Sequence, residues 1–288
     1  MKLLVTGGLG FIGSNFILKL LERDSNITIT NIDAELYGSD HKNLSQIKNS
    51  DRYNFVKGNI SNKKLMEEQI KKCDMVINFA AESHVDNSIT EPSVFIETNI
   101  NGTFNLLECA KSVCDEKFRF LHVSTDEVYG SLGQTGLFTE TTPYAPNSPY
   151  SASKASSDFL VRSYNKTFGL NTVITNCSNN YGPHQHDEKL IPTIIRNALA
   201  DNPIPIYGDG QNIRDWLYVT DHYCGIDLAF HKGKAGETYN IGGKNERTNL
   251  DIANTICELL DQYQPKATSY KDLISRFSFL SSPKQRVS

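Results

Sequence analysis

Between Ser124 and Lys154, thirty-one residues hold five side chains able to move protons: Asp126, Glu127 and Tyr129 in Ser-Thr-Asp-Glu-Val-Tyr-Gly, and Tyr150 and Lys154 in Tyr-Ser-Ala-Ser-Lys. Tyr150 and Lys154 are four apart, which on a helix puts them on one face within reach of each other. An ammonium beside a phenol favours phenolate. Free tyrosine titrates near ~10, so a tyrosine base at neutral pH needs a drop of about three pH units, roughly 4 kcal/mol, from neighbouring positive charge. Asp126 and Glu127 offer different chemistry: adjacent carboxyls whose environments separate their pKa values give an acid and a base in one place. A bare Asp-Glu pair is ordinarily a solvated turn, and a bare Tyr-x-x-x-Lys ordinary helix surface. Their company decides the matter.

That company is a cofactor motif. The apolar run Lys2 to Thr6 leads into Gly7-Gly8-Leu9-Gly10-Phe11-Ile12-Gly13. Glycines at 7, 10 and 13 let the backbone turn sharply and approach a pyrophosphate at the start of the next helix, whose free N–H groups and dipole favour an anion. Gly10 and Gly13 are expected to have no room for a β-carbon. Asp33 follows Gly13 by twenty residues, at the end of the next apolar run. A carboxylate there accepts the ribose hydroxyls and repels a 2′-phosphate, which favours NAD over NADP. NAD also brings positive charge to Tyr150.

These groups need a frame. Apolar, β-branched runs at Leu3–Thr6, Ile27–Ile32, Tyr53–Val56, Met75–Phe79, Phe118–Val123 and Asn171–Thr175 alternate with helix-like stretches at Gly13–Leu21, Lys63–Lys71, Val94–Val113 and Tyr150–Phe168. Such alternation predicts an α/β fold, a Rossmann-type doubly wound parallel sheet, over residues 1–175. Residues 176–288 read as a smaller, irregular substrate-binding lobe: the pattern loosens at Asn179-Asn180-Tyr181-Gly182-Pro183, then gives a Pro/Gly-rich stretch around Pro203–Asp209 and a strand-like Arg214–Val219. No repeat or low-complexity linker divides the halves.

With 288 residues and 39% hydrophobic content, the chain can bury a full core. A formal charge of -4 leaves no global basic field, so neither nucleic acid nor an anionic membrane is an expected partner, and a small molecule is. No apolar run approaches a signal-peptide core or a membrane span. Cysteines 73, 109, 114, 177, 224 and 257 form no CxxC pair, which fits reduced packing thiols and a cytoplasmic setting. His184 and His186 have a metal-like spacing, but the residues around them add no matching ligand set, so they read as a polar loop and no metal is expected.

The Tyr150-Ser-Ala-Ser-Lys154 and glycine-turn motifs resemble the extended short-chain dehydrogenase/reductase superfamily, and Thr125-Asp126-Glu127 narrows the resemblance to the nucleotide-sugar 4,6-dehydratases. Further blocks match in order: Ala80-Ala81-Glu82-Ser83-His84-Val85-Asp86, Thr98-Asn99, Asn176 to Pro183, Glu188 to Pro192, Pro205-Ile206-Tyr207-Gly208 and Arg214 to Val219, with coverage to about residue 273. The resemblance implies a lyase that oxidises C4 of a nucleotide-linked glucose through NAD. Glu127 then removes the C5 proton, Asp126 protonates the leaving C6 hydroxyl, and hydride returns to C6. It implies that Tyr150 and Lys154 serve the oxidation and that Thr125 binds the C4 hydroxyl. It places NAD against Gly7, Gly10, Phe11, Ile12, Gly13, Asp33, Asn59, Ile60, Ala80, Ala81, Ser83, Thr98, Tyr150, Lys154 and Asn180. The nucleotide sugar falls against Ser83, Thr125, Asn179, Lys189, Leu190, Pro205, Ile206, Tyr207, Arg214 and Asn249, with Arg214 suited to bidentate grip of a diphosphate. It also implies a homodimer through the Val94–Val113 and Tyr150–Phe168 helices, and a place in deoxysugar formation. The thymidine-linked glucose, dTDP-glucose, is favoured, with UDP-glucose kept as the alternative. Epimerase or decarboxylase activity of the same superfamily is disfavoured, because those enzymes lack the Thr-Asp-Glu arrangement.

Departures from the pattern are Asn59 for an aspartate that caps the adenine, Asn87 for an arginine, and His186-Asp187 for Phe-Pro. After Leu273 the family's closing segment, an Asp-Arg-Pro-Gly-His-Asp-Arg-Arg-Tyr-like run, is absent from the sequence. The tail 274–288 is therefore expected to be divergent and disordered, the C-terminus truncated relative to the family, and the nucleotide-sugar lobe looser. A catalytically impaired NAD-binding homologue is the competing reading.

Overall fold

The computed structural model describes residues 1–113, 118–133 and 136–277. In chain order, β1 (Lys2–Thr6) passes through the glycine turn into α1 (Phe11–Arg23), followed by β2 (Thr28–Asp33), β3 (Tyr53–Lys57), α2 (Lys63–Ile70) and β4 (Met75–Asn78). Short helices α3 (Val85–Thr90) and α4 (Pro92–Phe95) continue through a wider π-wound turn, Ile96–Gly102, into α5 (Thr103–Val113). The next elements are β5 (Arg119–Thr125), the long α6 (Pro149–Phe168), β6 (Thr172–Cys177) and β7 (Asn179–Tyr181). Then come α7 (Leu190–Leu199), β8 (Ile204–Tyr207), β9 (Ile213–Tyr218), α8 (Val219–Lys232), β10 (Thr238–Ile241), β11 (Glu246–Thr248), α9 (Asn249–Tyr263) and β12 (Ile274–Phe277).

Seven strands form one sheet in the order β10-β6-β5-β4-β1-β2-β3, and every neighbouring pair is parallel. The expected doubly wound sheet is therefore present. Side chains alternate across it. Leu3 and Val5 of β1 join Phe16, Leu20, Ile226 and Phe230 of α1 and α8 on one face. Leu4 joins Met66, Leu106, Leu107 and Val161 of α2, α5 and α6 on the other. This period of two is what a strand buried on both sides requires. The chain reverses its direction of travel through the sheet between β1 and β4, so the carboxyl ends of these strands open a crevice at the switch point.

The boundary expected at residue 175 is not where the sheet ends. Its seventh strand, β10, comes from the second half and pairs with β6 in register Thr238↔Ile174 to Ile241↔Cys177. The helix before it, α8, packs beside α1, and Arg23 pairs with the carboxylate of Asp227. Neither element was expected from the sequence: Thr238–Ile241 is too short, and α8 too mixed in polarity, to show a clear period.

The lobe has its own core of Ile194, Ala198, Ile204, Ile206, Ala253, Cys257 and Tyr270. Here the structure departs from the sequence reading. Ile274–Phe277, the first four residues of the supposed disordered tail, form β12 and pair in parallel with β8 from Ile274↔Ile204 to Phe277↔Tyr207. Ile274 packs against the lobe core, giving these residues a reason to be ordered that composition does not reveal. Residues 278–288 and Cys114 lie outside the described residues.

Candidate active site

The glycine turn is shaped by contacts of its own backbone. Gly7 has φ +71°, and a β-carbon on it would lie 2.6 Å from the Ala80 nitrogen. One on Gly13 would lie 2.5 Å from the Gly7 carbonyl oxygen. Gly10 differs from expectation: a β-carbon there meets nothing in the chain closer than 3.4 Å. Gly10 is the N-cap of α1, whose first turn has neither a side-chain cap nor an acidic residue. An uncapped helix start presents N–H groups to an anion, which fits a dinucleotide pyrophosphate over Phe11 and Ile12. Asp33, 5% exposed at the end of β2, accepts hydrogen bonds from the Leu9 and Glu35 amides at 3.0 and 2.9 Å and from Ser39 Oγ at 2.8 Å. Two carboxylate oxygens have room for more acceptor contacts than these three, so ribose hydroxyls can still be served. Asn180 adds a buried side-chain oxygen with no hydrogen-bond partner among the described residues. NAD thus fits the groups present.

Other expected cofactor residues are placed by the frame. Ile60 and Thr98 are buried, and Asn59 Oδ1 accepts from the Ser61 amide at 2.8 Å. Asn99 fixes the Ala80–Ser83 loop to α6: its amide accepts from Glu82 N at 2.9 Å and donates to Glu82 O at 3.0 Å and Ser153 Oγ at 2.8 Å.

Thr125, Asp126 and Glu127 stand where β5 turns into a single 3-10 turn, Asp126–Tyr129. Thr125 Oγ1 accepts from the Glu127 amide at 3.2 Å and donates to Asp126 Oδ1 at 3.4 Å. The buried phenol of Tyr150 lies near enough to Thr125 for that hydroxyl to pull its pKa down, against the larger effect of burial. One hydroxyl therefore stands beside both the tyrosine and the aspartate. Burial, then the charge of Glu127, pushes Asp126 up to about 7, against the pull of Thr125 and Arg214. Glu127 is also raised by burial, with Arg214 and Lys189 pulling it down. Near neutral pH the pair thus contains a carboxyl able to keep its proton beside one better placed to lose it.

Tyr150 and Lys154 occupy the first turns of α6, which Pro149 starts and Ser148 caps through a reciprocal bond with Ser151. Tyr150 is 8% and Lys154 3% exposed. Their expected coupling is not what the chain alone provides. Burial and the charge of Glu127 hold the Tyr150 phenol well above its usual range. Lys154 Nζ donates to the Val123 carbonyl at 2.8 Å and lies 3.4 Å from His122 Nε2. Sequence spacing puts the lysine on the correct face of α6 but does not fix where its long side chain ends.

Of the expected substrate residues, Arg214 on β9 and Lys189 at the start of α7 face the carboxyl pair electrostatically. Leu190 opens α7, Asn179 opens β7 and Asn249 opens α9, while Ser83 is exposed. Pro205 and Tyr207 flank Ile206 on β8. Ile206 is 1% exposed, inside the lobe core, so its side chain faces that core rather than a ligand.

Three groups escaped the sequence reading. Asp158, one turn beyond Lys154, is buried behind it. His122 sits between them. Across the crevice, Tyr37 donates to Glu188, which lies 3.1 Å from His84 Nε2, and the rings of Tyr37 and His186 are 4.8 Å apart. His184 reaches Ser14 Oγ of α1 at 3.2 Å. The two histidines thus tie the lobe to the sheet domain.

Comparison with known proteins follows the same lines. The family model described as GDP-mannose 4,6 dehydratase matches residues 4–279. The chain is 53% identical over 272 residues to the dTDP-glucose 4,6-dehydratase of Xanthomonas campestris pv. campestris, covering 91% of this chain and 77% of that protein. A crystal structure of dTDP-glucose 4,6-dehydratase from Bacillus anthracis in complex with NAD is 48% identical with a TM-score of 0.88, covering 96% of this chain and 84% of the other. The Streptomyces venezuelae dTDP-glucose 4,6-dehydratase, also solved with NAD, is 43% identical with a TM-score of 0.89 and the same coverage.

Proposed function

From the GDP-mannose 4,6 dehydratase family, to which this chain belongs, we propose a hydro-lyase that converts dTDP-glucose to dTDP-4-keto-6-deoxyglucose with NAD as resident cofactor. The observation that carries the residue assignment is the carboxyl pair Asp126 and Glu127, both bonded to Thr125 and gathered beside Tyr150 at the carboxyl edge of the sheet.

Phe11 and Ile12 amides hold the pyrophosphate, Asp33 the adenosine ribose, and Asn180 the nicotinamide end. Bound NAD supplies the hydride acceptor and donor, and a positive charge that favours phenolate. Tyr150 takes the proton of the 4-hydroxyl as C4 becomes a ketone. The ketone acidifies the C5 hydrogen, which Glu127 removes, while Asp126 gives its proton to the departing C6 hydroxyl and water leaves. Glu127 returns a proton to C5 as C6 is reduced. The sum leaves Tyr150 with one proton more and Asp126 with one fewer. Thr125, bonded to Asp126 and beside Tyr150, lies on the path that resets them. Arg214 and Lys189 bind the diphosphate and favour the ionised form of Glu127.

Two copies are proposed to associate through the Ile96–Val113 and Pro149–Phe168 helices, which expose Ile96, Phe104, Phe159 and Phe168. The five cysteines among the described residues are free, in keeping with a reducing compartment such as the cytoplasm. No helix of the described residues is long and apolar enough to cross a membrane.

The test is incubation of the chain with dTDP-glucose and, separately, UDP-glucose, following the 4-keto-6-deoxy product by mass and alkaline absorbance, with Glu127→Gln as control. Product from dTDP-glucose that is lost in the control supports the reading. Product from UDP-glucose alone reassigns the nucleotide, and none from either overturns it.

A further inference from the structure

Tyr150, Lys154 and Asp158 are successive positions at a spacing of four on α6, one face of a single helix. The proposed reaction uses the first two. The third is 1% exposed, and a carboxyl buried so deeply requires an explanation. Asp158 Oδ2 accepts from Ser124 Oγ at 2.9 Å and from Tyr144 OH at 3.0 Å. Its other oxygen, Oδ1, has no hydrogen-bond partner among the described residues and points at His122 Nε2, 3.5 Å away. His122 Nε2 is in turn 3.4 Å from Lys154 Nζ. The far side of the ring is fixed as well. Thr6 Oγ1 donates to Asn78 Oδ1 at 2.6 Å, which leaves the Asn78 NH2 to face His122 Nδ1 at 3.1 Å. With Nδ1 an acceptor, neutral His122 carries its proton on Nε2, directed into the space shared by the carboxylate and the ammonium.

We infer that Asp158, acting across His122, is a positioning residue that supplies the counter-charge for Lys154 and so keeps this lysine an ammonium beside Tyr150. The inference rests on the dehydratase reading for its catalytic consequence, but not for the link between the two charges. A fully buried ammonium whose one close oxygen acceptor among the described residues is the Val123 carbonyl is disfavoured by desolvation, and the Asp158 carboxylate is the first group that offsets it. Around Lys154 the other titratable neighbours are His122 on β5, held neutral by burial, and the Cys177 thiol on β6, pushed up to about 12. Around Asp158 they are Tyr144 and Tyr129, both raised by burial. Asp158 is thus the sole carboxylate among these neighbours. Its own pKa is pushed up to about 7 by burial, against the pull of Lys154, Ser124 and Tyr144, so its ionisation falls near neutral pH.

The experiment compares the full chain with Asp158→Asn, an exchange of nearly equal size. Protein carrying ε-13C-labelled lysine is titrated by NMR, with Lys154 identified by the signal missing from Lys154→Met, and kcat for dTDP-glucose is followed from pH 6 to 10. The Lys154 transition is expected to fall by about one pH unit or more in Asp158→Asn. The alkaline loss of kcat should begin correspondingly earlier, while KM and NAD affinity stay within about twofold. A Lys154 transition that does not move overturns the proposal, as does a kcat lowered by the same factor at every pH. The NMR arm needs no turnover, so an inactive wild-type chain would remove the dehydratase reading without removing this one. Should Asp158→Asn not fold, Tyr144→Phe removes one donor to the carboxylate from a half-buried position. It must then raise the acid limb of kcat by a few tenths of a pH unit, and an unmoved limb is equally fatal.

Discussion

Lys154, one helical turn after Tyr150, donates to the Val123 carbonyl oxygen at 2.8 Å. The ammonium is thus anchored to β5, the strand whose last residue is Thr125, and among the described residues the two side chains of the Tyr-x-x-x-Lys motif share no hydrogen bond. Each can be removed separately. Tyr150→Phe is expected to lower kcat by ~10²–10⁴ with NAD affinity nearly unchanged, since it deletes a proton acceptor and little else. Lys154→Met should lower kcat and NAD affinity together. Steady-state rates and NAD titration by fluorescence distinguish these outcomes.

Asp126 gives a pH signature in stability. Its pKa is 3.8 in the unfolded chain and about 7 in the folded one. Between these values the folded state retains a proton that the unfolded state has released, so stability falls as pH rises through the window and the cost is complete above about 7. Asp126→Asn removes that cost. Its melting temperature should exceed that of the wild type at pH 8 by on the order of 10 °C and match it at pH 4. Asp158 contributes with the same sign and remains in the variant, so part of the slope persists.

The glycines separate folding from binding. In Gly13→Ala the new methyl strikes the Gly7 carbonyl, and the turn must open, at a cost of about 1–3 kcal/mol. In Gly10→Ala it meets no chain atom closer than 3.4 Å. Melting without added NAD should therefore drop for Gly13→Ala and hold for Gly10→Ala, while NAD affinity falls at least about tenfold in both. Equal melting losses would show that Gly10 serves the fold rather than the cofactor.

Arg214 is the largest influence lowering Glu127. Arg214→Met should let that carboxyl rise, moving the acid limb of kcat/KM to higher pH, and should increase KM about tenfold or more through loss of a diphosphate contact. An unchanged limb with a higher KM would confine the arginine to binding.

Thr125→Val keeps the shape of Thr125 and removes the hydroxyl that bonds Asp126 and stands beside Tyr150. A loss in kcat of ~10² or more is expected, recovered largely by Thr125→Ser, with small acidic buffers partly rescuing the valine variant. Rates insensitive to buffer would assign the hydroxyl to substrate contact alone.

Much of this was legible in the residues. Long β-branched runs and the glycine turn announce the sheet domain because fully buried parallel strands leave a continuous apolar signature. Motif spacing likewise brings Asp33, Asp126, Glu127 and Tyr150 to the strands' carboxyl edge. Missed features are those decided by distant partners. β10 has four residues and its place comes from β6, while Ile274 is ordered because β8 and the lobe core receive it. Lys154 has four rotatable bonds, and only the folded positions of Val123 and His122 tell where its charge lies. Asp158 did leave a trace, an acidic residue at the third position of the Tyr150–Lys154 stripe, but polar residues at helical spacing usually mark a solvated face.

The place of β10 constrains how the molecule is assembled. The sheet's last strand is contributed by residues 238–241, after the chain has passed through β7, α7, β8, β9 and α8. During synthesis β6 must wait with one edge unpaired until more than sixty further residues have emerged, as the interval from Cys177 to Thr238 shows. An open parallel edge of that kind invites pairing with other chains. A fragment ending at residue 175 would carry the glycine turn and the proton-moving groups and still be sticky. Nascent chains of this protein are therefore most vulnerable to aggregation late, when the chemistry is already encoded but the sheet is still unsealed.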